Sequence, residues 1–164
     1  MKHAPTPPEV LRQQRNAKLY RSLMRVFRVY QRNLVEQLRA RGFSDFSPAF
    51  PQILSNLDTG GTRVGVLAER AGITRQGAGQ LLAELERCGY VRRSSSKTDA
   101  RATLVRFTAR GRKLLATVLS LVDETERSYA KLVGAERFAA LQRDLLRIAD
   151  AIDPIGALGS DDSF

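Results

Sequence analysis

Hydrophobic residues recur at helical spacing through most of the chain and change once to strand spacing. The longest apolar stripe predicts a helix over Glu9 to Arg41, which Gly42 ends and which would be about 50 Å long. Two later stripes predict helices over Ala109 to Val133 and Ala135 to Ile152, and Pro154 prevents the last from continuing. The pattern is typical of a mainly α-helical protein.

Two short helices around a tight turn are predicted between Val64 and Gly89. Gly72 can adopt the positive φ that ends the first helix, Ile73 can fill the corner, and Thr74 can cap the second helix. Ala68 is small enough to let the two helices cross closely. This arrangement is that of a helix-turn-helix.

From Tyr90 to Phe107 apolar and polar residues alternate, which predicts a two-stranded β-hairpin. On the return strand Val105 and Phe107 point to one side of the hairpin. The tip, Ser94 to Arg101, has no apolar residue larger than alanine, so we expect it to remain in solvent.

The second helix of the pair has one face that no core can bury. It presents Arg75, Gln76, Gly79 and Gln80 near the amino-terminal end of the helix. In the major groove, arginine pairs with guanine and glutamine with adenine, so this face could read bases. Amphipathic helix pairs are also common in all-α proteins, and the face alone leaves plain packing open.

The charge of the chain favours an anionic partner. The formal net charge is +10 and the isoelectric point is about 10.6, which indicates nucleic acid first and an acidic membrane surface second. Between Arg87 and Lys113 the only acidic residue is Asp99. Such positive charge attracts phosphates, and an arginine on a projecting loop can enter a minor groove. The alternative is a solvated hairpin without a partner.

Together these motifs resemble the MarR winged-helix transcription regulators. The resemblance covers roughly Leu19 to Ile152 and rests on two segments, LAERAGITRQGAGQLLAELERCGYVRR and TDARATLVRFTARG. It implies a mainly α fold with a small β-hairpin wing, in which a winged helix-turn-helix is joined to a helical dimerisation module. The predicted divisions are a flexible arm (1–8), a single domain (9–153) with dimerisation helices (9–46 and 109–153) and a DNA-binding lobe (47–108), and a flexible tail (154–164).

The resemblance also implies roles for individual residues. Arg101 would enter the minor groove, Asp99 would hold the wing in shape, and Arg75, Gln76 and Gln80 would stand in the major groove. The predicted DNA-contacting residues are Thr74, Arg75, Gln76, Gly79, Gln80, Arg92, Arg93, Lys97, Asp99, Arg101 and Arg110.

Gly77 and Gly79 are unusual inside a recognition helix, where each costs up to about 1 kcal/mol relative to alanine. Three explanations are open. The glycines let the helix backbone approach DNA closely, the helix becomes firm only on binding, or base readout is poor.

The apolar stripes of the terminal helices exceed what one 18.2 kDa chain can cover, which predicts a homodimer. Family members dimerise through these helices and are often released by small anionic or phenolic ligands. In this chain the ligand cleft would be lined by Arg28, Tyr30, Phe46 and Phe50, which can equally be ordinary core and surface residues.

Other kinds of site have little support. His3 is the only histidine, so we expect no metal site, no cofactor and no histidine-based triad. The single cysteine, Cys88, is expected to pack half-buried, although nearby Arg87 could favour a redox-sensing thiol. No apolar stretch approaches a membrane span or a signal peptide, and we expect a cytoplasmic protein with no membrane partner.

The sequence therefore predicts a homodimeric transcription regulator that binds double-stranded DNA, most simply a repressor of neighbouring genes with a small-molecule effector. An architectural DNA-binding protein with little sequence preference is the main alternative. An adaptor that binds another protein through its apolar helices is the second. An enzyme is not expected, because the chain has no nucleophile and base set and no nucleotide motif.

Overall fold

The computed structural model describes residues 18–95 and 103–152, which form six helices and a small antiparallel sheet. The predicted fold class, mainly α with a β-hairpin wing, is confirmed. The helices are α1 (Leu19–Ala40), α2 (Pro51–Leu54), α3 (Val64–Arg70), α4 (Arg75–Arg87), α5 (Ala109–Val133) and α6 (Ala135–Ile152). The strands are β1 (Thr62–Arg63), β2 (Val91–Ser95) and β3 (Thr103–Phe107).

The turn between α3 and α4 forms as its residues predict. Gly72 has a φ of 63°, which lets the chain leave α3 at once. The Thr74 side chain accepts a hydrogen bond from the Gly77 amide at 3.1 Å and so caps α4. Ala68 is buried against the core and Ile73 is partly buried at the corner. The helix-turn-helix is therefore stabilised by local contacts that its sequence specifies.

The sheet has the order β1-β3-β2. Val91 pairs with Phe107 and Arg93 with Val105. Val105 and Phe107, which are predicted to point to one side of the hairpin, are both buried. Strand β1 was not predicted. Its two residues are too few for an alternation signal, and it exists because Thr62 pairs with Val105.

The predicted first helix is wrong in its extent. Lys18 has extended backbone angles, φ −75° and ψ 134°, and α1 begins at Leu19. The helix thus has 22 residues and a length of about 33 Å, while residues 9–17 lie outside the described part of the chain. An apolar stripe can continue across a helix start, because periodicity does not report the backbone angles of one residue.

The core joins α1 to α5. A single buried cluster extends from Val35 and Leu38 of α1 to Leu114 and Leu121 of α5. Further along, α6 packs against α5 through Tyr129 and Phe138, and α6 itself has no buried residue. Among the described helices none is long and apolar enough to cross a membrane.

Candidate nucleic-acid interface

The face of α4 that carries the predicted base-reading residues is free. Ala78, Leu82 and Leu85 anchor the opposite face and are fully buried. Because the helix turns 100° per residue, this burial leaves Arg75, Gln76 and Gln80 exposed. The anchored helix can therefore present these three side chains without unfolding any part of the core.

The amino-terminal end of α4 is suited to an anion. Thr74 satisfies one of the free amides, and the first turn contains no acidic residue. The aligned peptide dipoles place partial positive charge at this end, to which the Arg75 side chain adds a full charge.

The two glycines of α4 differ in their surroundings. A Cβ built on Gly77 would lie 3.3 Å from Oγ1 of Thr74, whereas one built on Gly79 would meet no atom within 4 Å. The helix is continuous through both positions. Packing within the protein thus gives no reason for glycine at position 79.

An open groove of about 650 Å³ lies between α3, α4 and the wing. Three arginines from different elements border it, and Glu69 is the one acid among its lining residues. The lining residues are Arg63, Val64, Gly65, Val66, Glu69, Arg75, Gly79, Arg93 and Thr103. The groove has the charge expected of a seat for a phosphate backbone.

Arg93 is held at the edge of this groove. Its amide donates to Oε1 of Glu86 at 2.8 Å, its Nε lies 3.4 Å from Oε2 of Glu86, and its Nη2 donates to the Gly79 carbonyl at 3.2 Å. The wing is therefore tied to α4, and the predicted phosphate contact of Arg93 competes with these bonds.

Arg92 lies on the other side of the hairpin. It is exposed and pairs directly with Arg106 on β3, so two like charges stand opposite each other. Such pairs destabilise a sheet unless an anion compensates. The arrangement supports the predicted phosphate contact of Arg92 and adds Arg106 to the candidate residues.

The Arg110 side chain is engaged within the protein. Its Nη2 donates to both carboxylate oxygens of Asp45, at 2.8 and 3.0 Å, and its guanidinium carbon lies 4.8 Å from the centre of the Tyr90 ring. About 46% of the side chain is exposed, so a phosphate could still reach it. Lys97, Asp99 and Arg101, which are predicted to lie at the wing tip, are outside the described residues.

Three of the four predicted ligand-binding residues, Phe46, Phe50 and Arg28, have different surroundings. Phe46 borders an apolar cavity of about 310 Å³ between α1, α2 and α5. Phe50 is fully buried and its ring packs against Phe46 and Tyr90. Arg28 borders a separate groove with Arg32 and Arg39. Burial raises the pKa of Tyr30, with smaller contributions from Glu126 and Tyr129.

The apolar cavity itself was missed by sequence reasoning. Its walls are apolar apart from one serine, and they comprise Leu34, Phe46, Pro51, Leu54, Ser55, Phe107, Leu114, Leu115, Val118 and Leu119. Five of these residues, Leu34, Leu114, Leu115, Val118 and Leu119, belong to the predicted apolar stripes, and periodicity cannot distinguish a stripe that fills a core from one that lines a cavity.

Cys88 is buried rather than half-buried. Burial raises the pKa of its thiol, and the nearby Asp45 carboxylate raises it further against the opposing effect of Arg87. The thiol is therefore protonated near neutral pH, which favours a packing role over a redox-sensing one.

Comparisons with known proteins agree with this geometry. The model of the MarR family matches residues 44–102, the segment that contains the helix-turn-helix and most of the wing. No curated protein matches the chain. Among solved structures, the transcriptional repressor CouR bound to a 23-mer DNA duplex is 25% identical with a TM-score of 0.67, covering 90% of this chain and 99% of CouR.

Residues 44–102 therefore resemble the MarR family, and the described fold is that of the MarR winged-helix proteins.

Two other structures of this fold are similar over most of their length. NadR in complex with 4-hydroxyphenylacetate is 23% identical with a TM-score of 0.64, covering 89% of this chain and 98% of NadR. Transcriptional regulator Tm0710 from Thermotoga maritima is 21% identical with a TM-score of 0.55, covering 82% and 94%. At these identities they establish the MarR winged-helix fold alone. The ligand and the operator of this chain must be inferred from its own residues.

Proposed function

We propose that this protein is a member of the MarR family and a homodimeric, sequence-specific DNA-binding transcription regulator, a repressor of neighbouring genes. The observation that carries the proposal is the exposed Arg75, Gln76 and Gln80 face of α4, anchored from behind by fully buried residues and bordered by the basic groove. Base-edge contacts from this face would give sequence preference, and phosphate contacts from the wing would give affinity.

The dimer would form through the terminal helices, with residues 9–46 and 109–153 as its module and 47–108 as the DNA-binding lobe. Apolar side chains on these helices are strongly exposed in the single chain, among them Leu19 (61%), Leu132 (80%) and Ile152 (77%). Large exposed apolar patches mark association surfaces. A two-fold dimer would cover them and set two copies of α4 about one DNA turn apart.

A small-molecule effector would occupy the apolar cavity next to Phe46. Its volume of about 310 Å³ is at the lower end of ligand sites. The walls favour a small aromatic or aliphatic ligand, with an acidic or phenolic group directed towards the mouth. The NadR structure holds a ligand of this kind, 4-hydroxyphenylacetate.

An architectural DNA-binding protein is the second candidate, since the net charge of +10 per chain binds any duplex. The glutamines on the exposed face of α4 argue against it, because phosphate attraction does not need them. We propose no enzymatic activity.

The test is fluorescence anisotropy with the upstream DNA of the gene and with a scrambled duplex, titrated across salt concentrations. We expect a preference of about a thousandfold or more for the upstream DNA at physiological salt. Equal affinities with the same steep salt dependence would support the architectural candidate instead. Size measurement by light scattering in the same buffer tests the dimer separately.

A further inference from the structure

Tyr90 connects the end of α4 to the rest of the molecule. It follows Gly89 directly after the helix, and its amide donates to the Leu85 carbonyl at 2.9 Å. The side chain is fully buried, and its ring packs against Phe43 at 6.2 Å and Phe50 at 6.1 Å between ring centres. A shift of Tyr90 within the core would therefore move α4 with it.

A polar contact fixes the hydroxyl end of this side chain. The Tyr90 hydroxyl donates to the Asp45 carboxylate, and Arg110 donates to both oxygens of the same carboxylate. Asp45 lies in the loop after α1, Tyr90 follows α4, and Arg110 lies in the first turn of α5. We call these three residues the Asp45 junction.

The backbone segments that carry Tyr90 and Arg110 also pack closely against each other. The Thr108 amide donates to the Tyr90 carbonyl at 3.0 Å, and its hydroxyl donates to the Gly89 carbonyl. A Cβ on Gly111 would overlap the Tyr90 carbonyl oxygen and lie 2.9 Å from its carbon. The carboxyl end of α4 is thus set directly on the amino end of α5.

We propose that the Asp45 junction fixes the angle of α4 relative to α5 and thereby the spacing of DNA half-sites that the dimer accepts. The proposal rests on the proposed function, because α5 belongs to the proposed dimer module and α4 to the DNA-binding lobe. The three side chains act as positioning residues: Asp45 and Tyr90 need not touch DNA.

The charges support a junction that is formed at neutral pH. Burial acts to raise the pKa of Asp45, but the hydrogen bond from Tyr90 and the charge of Arg110 outweigh it and lower the pKa. Burial, together with the Asp45 carboxylate, raises the pKa of Tyr90 to about 12. Asp45 is therefore ionised and Tyr90 protonated across the physiological range.

The contact is also weak enough to be loosened without unfolding the core. The Arg110 and Asp45 side chains are 46% and 34% exposed, and partly exposed ion pairs contribute little to stability. Tyr90→Phe removes the hydroxyl and retains the buried ring. Asp45→Asn removes the charge and retains the shape.

A matched control exists on α5, the helix that carries Arg110. Arg41 and Glu124 form an ion pair of 3.3 Å that also joins the end of α1 to α5, with 40% and 45% of the two side chains exposed. This pair does not involve α4. Arg41→Gln therefore removes a comparable contact without touching the recognition helix.

The first measurement compares operator duplexes whose half-sites are moved apart or together by one base pair, about 3.4 Å along the axis. We expect the wild-type dimer to bind the altered duplexes about tenfold more weakly, the cost of a poorly placed half-site. Tyr90→Phe and Asp45→Asn should lose most of this discrimination, whereas Arg41→Gln should retain it. Retained discrimination in both junction variants, or an equal loss of affinity at every spacing, would overturn the proposal.

The second measurement does not depend on DNA binding. Spin labels at Ala83→Cys on α4 and Arg127→Cys on α5, in a Cys88→Ala background diluted with unlabelled protein, report the distance between the helices by pulsed electron resonance. We expect a broader distance distribution in both junction variants and an unchanged one in Arg41→Gln. An unchanged distribution in the junction variants would refute the proposal even if the protein bound no operator. A failure of operator binding alone would refute only the proposed function.

Discussion

Arg93 on the wing donates a 3.2 Å hydrogen bond to the carbonyl oxygen of Gly79 in the middle of α4. Glu86, two turns further along α4, holds the same side chain and its backbone amide. Arg93, which the sequence predicts to be a phosphate ligand, therefore also ties the wing to α4.

The two roles of Arg93 predict opposite effects for Glu86→Gln. If Arg93 contacts a phosphate, the substitution frees its charge and removes a negative one, so DNA affinity should rise. If Arg93 holds the wing, the substitution loosens it and affinity should fall. We expect a several-fold fall with little change in the salt dependence, measured by anisotropy across salt concentrations. A rise in affinity, together with a salt dependence lowered by about one charge in Arg93→Ala, would assign Arg93 to a phosphate.

Gly79→Ala separates stability from DNA binding. Alanine fits the open space at this position, and its helix propensity should raise the free energy of unfolding by up to about 1 kcal/mol. The same methyl group would project towards the proposed DNA surface, so we expect affinity for DNA to fall. Urea unfolding and anisotropy on one preparation give both values.

The matched control is Gly77→Ala, which has the same propensity gain but places its methyl group against Thr74. The affinity of Gly77→Ala for DNA should change much less than that of Gly79→Ala. If Gly79→Ala instead binds DNA more tightly, then glycine keeps the free helix loose, and ordering on binding is the correct explanation.

The winged helix-turn-helix could be predicted because its signals are local. Gly72 and Thr74 shape the turn through their own backbone and cap, and Val105 and Phe107 show the alternation of a half-buried strand. These features need no knowledge of distant parts of the chain, and they carried the resemblance to the MarR family.

Long-range contacts could not be predicted. Asp45 and Arg110 are 65 residues apart, and no pattern in either segment indicates that they meet. The same holds for β1, which requires β3 as its partner, and for the cavity beside Phe46, whose walls come from distant elements. The contacts of Arg93 with Glu86 and Gly79 are also long-range, and the phosphate contact predicted for Arg93 remains a prediction. Neighbouring residues on a strand face opposite sides, so Arg92 and Arg93 lie on different sides of the hairpin.

Gly111 should be intolerant of any side chain. A Cβ there would overlap the Tyr90 carbonyl oxygen and lie 3.1 Å from Cδ1 of Phe107, and both neighbours are held by the core. Overpacking of this kind costs on the order of 1–3 kcal/mol or more. We expect Gly111→Ala to lower the free energy of unfolding by at least this amount in urea. Gly60→Ala, at a glycine with nothing within 4 Å, is the control and should be close to wild type.

Substitutions of the proposed base-reading residue and of the proposed minor-groove arginine should affect DNA binding differently. Gln80→Ala removes a side chain proposed to read bases, so it should reduce the preference among operator variants. Arg101→Ala removes the proposed minor-groove arginine and should weaken binding without changing the dimer. Anisotropy on a set of operator variants tests both. Uniform weakening by Gln80→Ala would assign that side chain to a phosphate, and wild-type affinity of Arg101→Ala would refute its role in the wing.

Cys88 should react slowly with thiol reagents and with peroxide. The thiol is buried, its Sγ lies 3.9 Å from the Asp45 carbonyl oxygen, and its raised pKa means that the reactive thiolate is scarce at neutral pH. The rate of modification should therefore rise with pH along a curve displaced to higher pH than that of an unfolded cysteine. Stopped-flow labelling of folded and urea-unfolded protein compares the two curves. Rapid modification of the folded protein at neutral pH, with loss of DNA binding that Cys88→Ala prevents, would make Cys88 a redox sensor after all.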